Sequence, residues 1–192
     1  MSSEKSKFGD SVAASASFAP GASELLGLEG VYIAECYDAQ GNLKWSDVIE
    51  NLTTNVGRKS LLDSYFANTG GGAVVMGLKG TGTAAYTDTQ SSHAGWLEVG
   101  GTNAPTYSGT RKTPAFSAAT SANPSVLTTS AAVVFSMTGS GTVAGAFINI
   151  GGSSTIDNTT GTLFSAGDFT AGSKTVTSGD TINVTYTLSA SG

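Results

Sequence analysis

The last third of the chain contains TINVTYTLSA, residues 181–190, in which Ile182, Val184, Tyr186 and Leu188 alternate without a break with Asn183, Thr185, Thr187 and Ser189. Successive side chains of a strand point to opposite faces, so this pattern puts four large apolar groups on one side and four small polar groups on the other. On a helix the same residues would be scattered around the circumference. The chain must therefore build a sheet with one buried face. Each inward side chain contributes about 1.5–3 kcal/mol when fully buried. Ser178, Gly179 and Asp180 supply turn chemistry just before this strand.

Other segments read the same way. VYIAECY (Val31–Tyr37) has Val31, Ile33 and Glu35 on one face and Tyr32, Ala34 and Cys36 on the other. The turn residues DAQGN follow, and LKWSDVIENLTT returns, which makes a hairpin. AVVMGLKG (Ala73–Gly80) reads as a short buried strand, and AAVVFSMT alternates Val133, Phe135 and Met137. TVAGAFINI is apolar or small on both faces, which places it centrally in a sheet. One segment is helical: NVGRKSLLDSYFAN carries Leu61, Leu62, Tyr65 and Phe66 at helical spacing, with Asn55 as the expected N-cap.

Composition agrees with a sheet protein of many turns. The chain has 192 residues, 26 of them glycine, and only 12% are charged, so its strands show Thr and Ser to water in place of Lys and Glu. A surface so poor in charge suits subunits that pack side by side. Residues 1–28 differ: they lack a period of 2 and read as an arm, with Phe8, Phe18, Leu25 and Leu26 as its apolar anchors. The expected architecture is mainly β: an antiparallel, jelly-roll-like β-sandwich over residues 29–192, with a short helix at about 56–67 and an extended N-terminal arm.

Several function classes find no support. The net charge is −5 and the nine Lys and Arg residues are scattered, which argues against nucleic-acid binding. No apolar run approaches the roughly 20 residues that span a bilayer, and the N-terminus makes a poor signal peptide. Cys36 is the single cysteine, so neither an intramolecular disulfide nor a cysteine-based metal site can form. His93, in SSHAGW, is the single histidine and would have to be the base of any nucleophilic triad. The hexapeptide has no nucleophile-elbow pattern, and no carboxylate can be nominated to orient the ring. Gly95 allows a sharp turn and Trp96 can begin a strand, so His93, Gly95 and Trp96 read as a structural loop. Asp38, Asp168 and Asp180 sit beside turn signals, whereas Glu35 and Glu98 are flanked by strand formers and could face solvent or an interface. No enzyme, cofactor or metal is expected.

The segments GNLKWSDVIENLTTNVGRKSLLDSYF, VVMGLKGTGTAAYTDTQSSHAGWLEV, TVAGAFINI, GTLFSAGDF and SGDTINVTYTL resemble a group of small structural proteins of tailed phages and prophages. The resemblance spans about Gly30 to Leu188, and SHAGW is its most specific part. It implies a virion protein made in the host cytoplasm, specifically a head decoration or cement protein on the capsid exterior. Its partner would be the major capsid protein, with self-association as a dimer or trimer, and without nucleic acid or membrane. The arm matches no motif of the group. The alternative is a tail-fibre or receptor-binding β-sandwich that uses exposed aromatics such as Trp96, Tyr86 or Tyr107.

Overall fold

The computed structural model describes residues 27–65, 67 and 71–191. The expected anchors Phe8, Phe18, Leu25 and Leu26 lie outside the described residues. Strand β1 (Gly27–Tyr37) begins two residues before the expected start of the body. It turns back into β2 (Leu43–Thr53), and the Asp38 carboxylate fixes the turn by accepting the Gln40 and Asn42 amides at 2.9 and 2.8 Å.

Helix α1 (Asn55–Tyr65) follows at once. Its N-cap is Thr54, not the expected Asn55. The Thr54 hydroxyl accepts the Gly57 amide at 3.0 Å, and its carbonyl accepts the Arg58 amide at 3.0 Å. Asn55 turns its side chain to the Arg58 guanidinium instead. The side chains of Leu62, Tyr65 and Phe66 lie outside the described residues, and Leu61 is half-buried.

The remaining strands are β3 (Val74–Gly82), β4 (Trp96–Val99), β5 (Ser125–Thr128), β6 (Val133–Ser136), β7 (Gly141–Val143), β8 (Gly145–Ile150), β9 (Thr162–Phe169), β10 (Lys174–Val176) and β11 (Thr181–Ser191). Nine of the eleven strands form one antiparallel sheet, eight in the order β4-β3-β8-β9-β2-β1-β11-β5 and the ninth, β6, beside β11. β6 shares the far side of β11 with β5: β6 pairs with Thr181–Val184 and β5 with Thr187–Ala190. β7 and β10 make a separate ribbon. The architecture is mainly β and antiparallel, with one helix among the described residues, and it is consistent with a β-sandwich. β8 lies between β3 and β9, as its two apolar faces require.

The main core gathers one face of the long sheet. Tyr32, Ala34 and Cys36 of β1 meet Ile49, Met76, Leu78, Ala146 and Ile148 there, together with Ile182, Val184 and Tyr186 of β11. The fourth expected inward residue of β11, Leu188, packs against this core half-buried. Tyr32 and Tyr186 face each other across the β1–β11 ladder with ring centroids 4.6 Å apart. Among the described residues the opposite face of the sheet is covered over one half. Above β3, β8 and β9, Trp96, Phe147, Leu163 and Ala166 form a second small core.

Candidate functional site

The SSHAGW loop is built to hold Trp96. The indole is 2% exposed, lies 5.4 Å from the Phe147 ring and donates its Nε1 hydrogen to Asp88 at 2.9 Å. Asp88 also accepts the Ala85 amide at 2.8 Å, which fixes the start of the loop. The His93 ring stacks on the indole at 4.0 Å and 20°, and its Nδ1 lies 3.1 Å from the Trp96 carbonyl. Because a carbonyl only accepts, that nitrogen must carry the proton. Gly95 is needed because a Cβ there would sit 2.6 Å from the Thr83 carbonyl oxygen, where the two ends of the loop pass each other. His93, Gly95 and Trp96 therefore act together as a structural unit.

This unit also closes a sheet edge. β4 is the terminal strand, and two of its carbonyls, those of Trp96 and Glu98, are met by His93 Nδ1 and Asn103 Nδ2 at 3.1 and 2.9 Å. Unpaired strand edges invite another chain, and side chains that cap them remove the invitation. The other edge is covered as well. The Ser117 and Thr120 amides donate to β5 carbonyls at 2.9 and 3.0 Å, and the Ser108 amide donates to Ser136 at 2.8 Å.

Several charged groups sit where the sequence did not place them. Glu98 is 3% exposed and does not reach solvent. Its carboxylate is held by Arg111 Nε and Nη2 at 2.8 and 2.7 Å and by the Asp157 amide at 3.0 Å. Asp168 is not a turn residue but lies inside β9, where it pairs with the fully buried Lys79. The Lys79 side chain crosses β8 at Gly145, the residue opposite both partners. Asp180 does serve its turn, accepting the Thr177 amide at 2.7 Å while pairing with Lys44. Burial works to raise the Asp180 carboxyl, but Lys44 and the Thr177 donors outweigh it and hold it below its ordinary value. Burial raises the Tyr107 phenol, with Glu98 adding to the effect and Arg111 opposing it.

The hydrogen bond made by the His93 ring goes to a backbone carbonyl, not to a nucleophile or a carboxylate. Among the described residues no group of three or more His, Cys, Asp and Glu gathers to hold a metal. No helix there is long and apolar enough to cross a membrane.

Among the described residues, nothing packs over the apolar side chains on the outer face of β2, β1 and β11. Val31, Ile33 and Val48 are 39%, 48% and 39% exposed and adjoin in register, Ile33 opposite Val48 and Thr185. Glu29, Glu35 and Glu50 share this face. Its signal was present in the sequence, since VYIAECY carries apolar residues on both sides and β1 can bury only one against the core. Comparison of the chain with protein-family models, with curated proteins and with solved structures finds no match.

Proposed function

We propose that the chain is a structural protein of a tailed-phage virion that binds the outer surface of the capsid and ties neighbouring major capsid subunits together. The observation that carries this reading is the pairing of closed sheet edges with a bare aliphatic face. Most polar groups in the interior are spent on architecture, and Val31, Ile33, Val48 and Val134 lie exposed on one surface of the sheet. Such a surface suits adhesion to another protein, with affinity drawn from area buried and multiplied by repetition over a shell. The resemblance of the SHAGW loop and the closing strand to small structural proteins of tailed phages, which implies a head decoration role, points the same way. The arm, with Phe8, Phe18, Leu25 and Leu26, would add contacts to a neighbouring subunit.

A tail receptor-binding module is the second reading, favoured by Tyr86, which is 56% exposed beside the Arg58 guanidinium. The other two aromatics on which it drew are lost to it, since Trp96 and Tyr107 are buried at 2% and 3% exposure. Copy number separates the two. A stained gel of purified virions should show on the order of hundreds of copies per particle, and particles lacking the protein should lose DNA sooner on heating. A handful of copies at the tail would instead establish the second reading.

A further inference from the structure

Resting on the cement reading, we infer that the outer face of β2, β1 and β11 is the docking face, and that its partner surface is aliphatic at the centre and rimmed by Lys and Arg. Three observations lead there. The first is elimination within the sheet. Both edges are closed by loop groups, the inner face holds the main core, and the half of the outer face above β3, β8 and β9 holds the Trp96 cluster.

The second is size. β1, β2 and β11 each have 11 residues, and β5 and β6 extend the face by one more strand. At about 3.3 Å per residue and about 4.8 Å between strands, the face measures roughly 36 by 19 Å, or about 700 Å². A stable interface takes about 800 Å² from each partner, so this face with a modest rim is sufficient. Val31, Ile33 and Val48 lie at its centre, and Val134, 48% exposed, lies across β11 from Glu35 by way of Asn183.

The third is charge. The face carries Glu29, Glu35 and Glu50, and Lys44 is the one cation on β1, β2, β5, β6 and β11; it turns inward to Asp180. Three of the cations elsewhere are paired with acids off this face: Lys79 with Asp168, Arg111 with Glu98 and Lys174 with Asp47. The chain as a whole carries a formal charge of −5, and this face, with three glutamates and no outward cation on its strands, shares that sign. Two copies placed face to face would set glutamate against glutamate, whereas a basic rim on a different surface would complement them.

The test uses the full chain and purified phage heads assembled without it, with binding followed by co-sedimentation. Ile33→Lys with Val48→Lys should weaken binding at least tenfold, and the milder Ile33→Thr severalfold. Glu29→Lys with Glu50→Lys should also weaken it about tenfold in 50 mM salt and far less in 500 mM salt, because rim charges are screened. Leu97→Lys alters a residue that is 58% exposed on β4, away from the face, and should bind as the native chain does. Circular dichroism and melting curves confirm that each variant is folded. Native binding with undiminished binding of the folded Ile33 and Val48 variants would overturn the docking face and leave the cement reading standing. A native chain that ignores the heads would overturn both. A native dimer in solution that Ile33→Lys dissolves would give the face to a second copy and overturn the basic-rimmed partner.

Discussion

Arg111 grips Glu98 with two parallel hydrogen bonds, Nε to Oε1 at 2.8 Å and Nη2 to Oε2 at 2.7 Å, and both side chains are buried. Its other donors reach the carbonyls of Ser153 and Asn158 at 3.0 and 2.7 Å, and the guanidinium lies 5.5 Å from the Phe147 ring centroid. Strand β4, the loop that follows it and the β8–β9 loop are thus fastened at one point. Arg111→Met would leave a buried carboxylate unpaired. Breaking such a pair costs about 3–5 kcal/mol, whereas replacing both partners with apolar groups is often close to neutral. Urea denaturation should show a large loss for Arg111→Met and recovery of most of it in Arg111→Met with Glu98→Leu. A double variant as unstable as the single one would show that the pair is needed for packing and not for charge balance.

His93→Ala removes the stacked ring over Trp96 and the cap on its carbonyl. A ring pair is worth about 0.5–1.5 kcal/mol beyond its burial, and a hydrogen bond about the same. The expected loss is therefore about 1–3 kcal/mol, accompanied by a change in tryptophan fluorescence. Opening the β4 edge should also raise self-association, which sedimentation velocity would detect. A variant that kept its stability and spectrum would mean that the loop holds Trp96 without the imidazole.

The division between what was legible in the sequence and what was not follows the range of the interactions. The alternation Ile182-Val184-Tyr186 reported its own buried face because strand geometry alone determines it. The Asp38 and Asp180 turns were legible because a carboxylate bonds amides two to four residues away. Glu98 with Arg111 and Lys79 with Asp168 were not, since each pair is joined by tertiary packing across 13 and 89 residues. Lys79 lies in a stretch that reads as apolar, and what makes it tolerable there is Gly145 on the neighbouring strand, which no local pattern reveals. The same limit applies to strand order: the hairpin pattern says that β2 is a strand but not that its Ile49 pairs with Phe169 of β9. At the helix start the cap is Thr54, one residue before the expected Asn55, and its hydroxyl also reaches the Leu163 carbonyl, a contact from another strand that the local sequence does not show.

Cys36 should be inert in the folded chain. It is fully buried, and burial together with the Asp180 carboxylate, 3.9 Å from Sγ, pushes the thiol from its ordinary 9.0 to about 11 against the opposing pull of Lys44. Two pKa units leave about a hundredfold less thiolate at pH 8, and the thiolate is the reactive form. A thiol-labelling reagent such as DTNB should therefore react at pH 8 at least about a hundredfold more slowly with native protein than with protein in denaturant. Native labelling at the denatured rate would mean that β1 opens readily from β11.

Acid should weaken the fold through Asp47 and Asp180. Burial works to raise both carboxyls. At Asp47 it is outweighed by Lys174 at 2.6 Å, the Thr170 hydroxyl at 2.9 Å and the Val48 amide at 2.7 Å, and at Asp180 by Lys44 and the Thr177 amide. Both therefore titrate below the ordinary 3.8 when folded. Between the folded and unfolded values the unfolded chain binds more protons, so stability falls as pH falls. The contribution is fully present above the unfolded value and is lost as pH drops through the lower folded one. Asp180→Asn and Asp47→Asn should thus show their largest deficit against the native chain at pH 7, and that deficit should shrink below about pH 4 as the native carboxyls become neutral. Urea midpoints measured at pH 7, 4 and 2.5 would check this. A deficit of the same size at all three would assign the loss to altered hydrogen bonding around the amide and remove the two carboxylates as the source of acid sensitivity.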